Sequence, residues 1–111
     1  MSEEQPFSIS VPQTALDDLQ KKLALATFPS AAPQSDDEWD YGVPLKDMER
    51  LVSRWKDGFD WRATEAALNA ELPQFTRPIE VDGFGTLTAH YVHKKSEREN
   101  AIPLLFVHGC K

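Results

Sequence analysis

Apolar residues recur along this chain in two rhythms, one of helical and one of strand period, and a final run that follows neither. Residues 7–11 alternate, with Phe7, Ile9 and Val11 on one side, which predicts a short extended segment. Behind Pro12, whose missing N–H is no loss in a first helical turn, Leu16, Leu19, Leu23 and Ala26 fall at helical spacing. Asp17 and Asp18 sit early and Lys21 and Lys22 late, as the helix dipole favours, and Phe28-Pro29 is expected to end the helix. Periodicity is lost over 29–44, where prolines and serines surround the acidic run Asp36-Asp37-Glu38, Trp39 and Tyr41; this reads as a connection. A second helix is predicted over Leu45–Asp57, with Leu45, Met48, Leu51, Val52 and Trp55 on one face and Gly58 placed to stop it. Asp60 can cap a third helix through about Glu71, whose small face is Ala63, Ala66, Ala67 and Leu68, and Pro73 closes it.

The rhythm then changes. Residues 77–82 and 86–94 read as two strands joined by a turn containing Gly83 and Gly85. A charged loop, Lys95 to Asn100, leads into Ile102-Pro103-Leu104-Leu105-Phe106-Val107. That run is apolar on both faces, so it is expected as a strand inside a sheet covered on both sides, usually a parallel one. The order is short strand, three helices, hairpin, buried strand.

Composition narrows the function classes. The 111 residues carry a net charge of -6, with 41% hydrophobic and 27% charged residues, ordinary for a globular chain but not for a nucleic-acid binder. No basic cluster exceeds Lys94-Lys95, so neither nucleic acid nor an anionic membrane is an expected partner. No apolar run follows the polar start, Ile102–Val107 is too short to cross a bilayer, and the single cysteine, Cys110, has no internal disulfide partner. A soluble cytoplasmic protein is the expectation.

The stretches FSISVPQTALDDLQKKLALATFP, LVSRWKDGFDWRATEAALNAELPQFTRPIEVDG and LTAHYVHKKSERENAIPLLFVHG, with WKDGFDW and LPQF as the diagnostic pieces, resemble the N-terminal region of epoxide hydrolases over about residues 5–109. The soluble fungal and microsomal-type members are the nearest in pattern. The resemblance implies an α/β fold: an N-terminal helical meander over 5–76, then the first strands of an α/β-hydrolase sheet over 77–111. It implies a parent activity in epoxide detoxification, in which a carboxylate opens the epoxide to an ester that an activated water hydrolyses to a vicinal diol. In the family layout the nucleophilic Asp, the base His with its acidic partner and the cap tyrosines all lie beyond residue 111, so no catalytic residue is carried over. Only the oxyanion loop is reached: His108, Gly109 and Cys110 match the start of a His-Gly-x-Pro motif in which backbone N–H groups stabilise an oxyanion. Lys111 stands where proline is usual and Cys110 where tryptophan is usual. The expectation is therefore a truncated product, from a frameshift, an unspliced intron or a clipped gene model.

Other candidates have bland readings. His90 and His93 on one strand would point to opposite faces, so no metal is expected there, and no cofactor elsewhere. Trp55, Phe59 and Trp61 read as core, Asp36, Asp37 and Glu38 as a solvated loop rather than a calcium site, and Cys110 as a bystander thiol. The leading function is the N-terminal segment of an epoxide hydrolase, inactive alone, with the epoxide a partner of the complete parent only. The alternative is a small non-catalytic module that docks on a hydrolase-core partner; an independent enzyme using Cys110 or the histidines is the third. Since strand 102–107 lacks its neighbours, the isolated chain is expected to self-associate through it and to be marginally stable. Sedimentation and repeated thermal scans check this: concentration-dependent association is expected, and a sharp, reversible transition from a monomer would contradict it.

Overall fold

A computed structural model of the chain describes residues 3–30 and 39–109. The elements are β1 (Gln5–Phe7), α1 (Gln13–Ala24), α2 (Leu45–Asp57), α3 (Trp61–Glu71), β2 (Gln74–Val81) and β3 (Gly85–Val92). Residues Ile9–Leu68 form one compact unit; the segment up to Ser8 and the residues from Asn69 onward form a second. Among the described residues no helix is long and apolar enough to cross a membrane.

In the helical unit, α2 has the bounds its apolar period predicts. Gly58 ends it at φ -123°, outside the left-handed region, with its N–H donated to the Arg54 carbonyl at 2.8 Å. A side chain there would meet that carbonyl at 3.3 Å, tighter than most real contacts, so glycine eases the exit. Asp60 caps α3 as expected: its Oδ1 accepts the Ala63 N–H at 3.0 Å. Helix α1 departs from expectation at both ends. Pro12 stands just outside it as the capping residue, its carbonyl accepting from Ala15 and Leu16. The helix stops at Ala24 rather than at Phe28-Pro29, because the Leu25 N–H is shared between the Lys21 and Lys22 carbonyls and Ala26 bonds Leu23, tightening the last turn.

The second unit is a three-stranded antiparallel sheet in the order β1-β2-β3. The hairpin forms with β2 starting at Gln74, ahead of the predicted Arg77, and Val81 faces Gly85 across the turn. The Phe84 N–H closes that turn on the Val81 carbonyl at 2.9 Å, and Gly83 and Gly85 take φ of 80° and 76°, which side chains resist. Pro78, opposite Thr88, is tolerated because β1 pairs only with residues 74–76, so no neighbour asks for an N–H on that side. The strand expected over 7–11 is displaced: the ladder runs over Gln5–Phe7, in register with Thr76 to Gln74. Val11 leaves the strand because its N–H and carbonyl are engaged by side chains of α3 instead.

The run Ile102–Val107 corrects the sequence reading more sharply. It forms no strand, and its large apolar side chains are 79–92% exposed. A two-faced strand needs a ladder partner and a cover on each face, and none of the described residues provides them. Indeed Leu23, at 9% exposure, is the single buried hydrophobic residue among those described.

Gly83→Val forces a β-branched residue into the left-handed region and should destabilise the hairpin by about 1–2 kcal/mol. Urea titration of the hairpin amide signals measures this; an unchanged midpoint would show that the turn does not need its positive φ.

Candidate functional site

The most densely bonded cluster in the helical unit converges on the carboxylate of Glu65, in α3. Its Oε2 accepts the Val11 backbone N–H at 2.7 Å and the Trp61 indole N–H at 3.2 Å, and its Oε1 accepts from Arg62 at 2.8 Å. Arg62 returns to the same segment, donating to the Val11 carbonyl at 2.8 Å and to Gln13 Oε1 at 3.1 Å. Two side chains of one helical turn thus satisfy both backbone groups of Val11, just before α1 begins. The Val11 N–H is the main cause that lowers the Glu65 pKa below the usual carboxylate range; partial desolvation opposes it, and Arg62 and Trp61 add to it. This cluster escapes the sequence because its partners stand far apart along the chain, although the capped start of α3 and the Arg62–Glu65 spacing are visible there.

Beside the cluster lies an open groove of about 780 Å³, lined among others by Leu16, Leu19, Trp55, Phe59 and Trp61. Trp55 and Phe59 are 47% and 43% exposed, which corrects their assignment to the core; Trp61 is half-buried. Trp55 lies on the last turn of α2 and Phe59 between α2 and α3, where the helices end and fewer neighbours surround a side chain. Met48 and Leu51, on the same face of α2 as Trp55, are also exposed, and Leu51 adjoins Trp55 and Phe59 in a shallower hollow.

The sheet holds a polar set of its own. Gln74, 5% exposed, donates to Asn69 Oδ1 at 3.2 Å and accepts from His90 Nε2 at 3.0 Å, while the His90 ring packs on Phe7 with centroids 4.6 Å apart. His93 follows β3 and donates its backbone N–H to the Pro73 carbonyl at 3.0 Å. Tyr91 donates its hydroxyl to the Glu4 carboxylate, which raises the Tyr91 pKa. Among the described residues no group of three or more His, Cys, Asp or Glu side chains is placed to hold a metal.

The structure does not bring the candidate oxyanion loop to any of these clusters. His108 is exposed, and its Nδ1 donates to the Gly109 carbonyl at 2.8 Å, a purely local bond. Gly109 has open space around it and is not in the left-handed region. Cys110 and Lys111 lie outside the described residues, as do Asp36, Asp37 and Glu38.

Comparison with known proteins matches residues 4–110 to the family described as "Epoxide hydrolase N terminus". A Stigmatella aurantiaca (strain DW4/3-1) protein whose name proposes an epoxide hydrolase is 39% identical over 104 residues, covering 94% of this chain and 22% of its own. Juvenile hormone epoxide hydrolase 2 of Ctenocephalides felis is 32% identical over 107 residues, with 94% and 21% coverage. The solved Aspergillus niger epoxide hydrolase superposes with a TM-score of 0.71 at 34% identity, over 91% of this chain and 25% of that one. The chain therefore spans about a quarter or less of the length of the relatives it matches.

Because the Glu65 pKa lies below its unfolded value of about 4.3, the bonds to Val11, Arg62 and Trp61 stabilise the fold above that value and lose this effect as pH falls through the lowered one. Glu65→Gln should lower the urea midpoint at neutral pH, and the gap from the parent should narrow and close as acidification protonates the carboxylate below the ordinary range. A gap that persists there would show that the carboxylate charge is not what holds Val11.

Proposed function

The chain belongs to the epoxide hydrolase family through its N-terminal region, and from that premise we propose that it acts as the structural N-terminal segment of an epoxide-hydrolysing α/β-hydrolase and is inactive alone. The family match over residues 4–110, almost the whole chain, carries this reading.

In the parent reaction that the family resemblance implies, a carboxylate oxygen attacks one epoxide carbon. The C–O bond breaks, and the departing oxygen takes a proton from an acid. Water then adds to the resulting ester and releases the diol and the free carboxylate. None of the nucleophile, base and acid roles is assigned to a residue of this chain. The part that falls to it is support: the Glu65–Arg62 cluster fixes how the chain enters α1, and the hairpin supplies the first ladder of the sheet. His108, Gly109 and Cys110 are proposed as the start of the oxyanion loop, where open space around Gly109 allows a close approach to its backbone. A cytoplasmic location, expected from the sequence, and a part in epoxide detoxification, which rests on the resemblance, belong to the same proposal.

Incubated with styrene oxide, the chain is expected to form no diol above the uncatalysed background, read by chromatography of the product. Diol formation that disappears on Cys110→Ala would overturn the reading and make the chain an enzyme in its own right.

A further inference from the structure

We propose that the open edge of β3, Gly85–Val92, takes the run Ile102–Val107 of a second copy of this chain as a fourth strand, and that two copies exchange these runs reciprocally to close as a dimer.

The sheet guards one of its edges and not the other. On the β2 side, β1 covers residues 74–76, and Pro78 withholds an N–H from the stretch beyond. Strand β1 is also fastened across β2 to two adjacent residues of β3, which lie on opposite faces: the Tyr91 hydroxyl donates to Glu4, and the His90 ring packs on Phe7. That edge is closed to a newcomer. On the β3 side the His93 N–H donates to the Pro73 carbonyl, so by the alternation of an antiparallel ladder the backbone groups of Thr86, Thr88, His90 and Val92 point away from β2. No proline, lysine or carboxylate interrupts Gly85–Val92, and each of its faces exposes an apolar side chain, Leu87 on one and Val92 on the other.

The occupant follows from the chain's own unmet need. Ile102–Val107 is apolar on both faces, exposed, and without a ladder. Pro103 stands near its start, where a missing N–H is tolerated, and every residue of 104–107 carries one. Beside β3 such a strand gains backbone partners and meets an apolar neighbour on either face. The run does not turn back onto its own β3: the connection over 93–101 makes turns of its own, with the Arg98 N–H donated to Ser96 Oγ and the Ala101 N–H to the Arg98 carbonyl. Extended, that connection reaches on the order of 30 Å, enough to cross to a neighbouring molecule. Each chain thus offers one strand and one edge, and two chains about a two-fold axis satisfy both at once. A strand from an unrelated partner would fill the edge and leave Ile102–Val107 without a ladder.

Sedimentation of the full chain, combined with amide deuterium exchange, tests this. A monomer–dimer equilibrium is expected, in which the amides of Thr86, Thr88, His90 and Val92 and those of residues 104–107 exchange about tenfold more slowly in the dimer than in the monomer. Both sets should gain protection together as concentration rises. Thr88→Pro removes an outward N–H and keeps the bonds to β2, and Leu105→Lys places a charge in the run; each should abolish the dimer. Mixing the two variants should restore a one-to-one pair, because each retains the part that the other lacks. Association that protects 104–107 and leaves the four edge amides open overturns the receiving edge, and this measurement on the parent chain needs no variant to fold. A chain that is monomeric at every concentration, or whose run becomes protected without association, overturns the second copy. Open-ended association, or no pair from two variants that both keep the parent's hairpin amide signals, overturns the reciprocal exchange.

Discussion

Apolar surface without a partner is the constraint on which the rest of this structure depends. Burying a large apolar side chain stabilises a fold by about 1.5–3 kcal/mol, yet among the described residues Leu23 is the one hydrophobic side chain removed from water. Trp55 and Phe59 stay half-exposed, and Ile102–Val107 lies almost wholly in solvent. Conformational entropy of order 1–2 kcal/mol per residue opposes the ordering of both units, so local hydrogen bonds and helix and hairpin geometry hold the shape where a core would normally do so.

Those local bonds are distributed purposefully. Glu65 and Arg62 secure both backbone groups of Val11, and so the start of α1 does not rely on a buried cluster. In the sheet, Gln74 links Asn69 and His90, and Phe7 covers the His90 ring. Exposed helical pairs such as Asp18–Lys21 and Asp47–Arg50 add little, since solvent screens them. The result is a segment whose inner bonds preserve its outline while its apolar faces stay open. That is the physical character suited to a piece of a larger hydrolase body.

Features set by neighbouring residues were legible in the sequence. The bounds of α2 follow from its apolar period and Gly58, α3 from the Asp60 cap, and the hairpin from Gly83 and Gly85, which adopt the positive φ that the turn demands. Features set at a distance were not. The displacement of β1 to Gln5–Phe7 depends on Glu65, distant in sequence, claiming Val11; the early end of α1 depends on a shared hydrogen bond at Leu25. The exposure of Trp55 and Phe59 could not be read from periodicity, which identifies an apolar face but not what meets it. For Ile102–Val107 the pattern predicts a two-faced strand that does not form, which shows that such a strand is a property of a sheet and not of its own residues. Of the candidate site, His108 and Gly109 were recognisable as a motif, whereas the groove became visible only when three helices and a turn were assembled.

Calorimetry tests the central claim most directly, because the heat capacity of unfolding reports the apolar area that folding removes from water. A 111-residue domain with a complete core would show about 1.3–1.7 kcal/mol/K. The structure predicts less than about half of that for this chain alone. A value in the full range would mean that its apolar faces are buried within it after all, and would contradict the account.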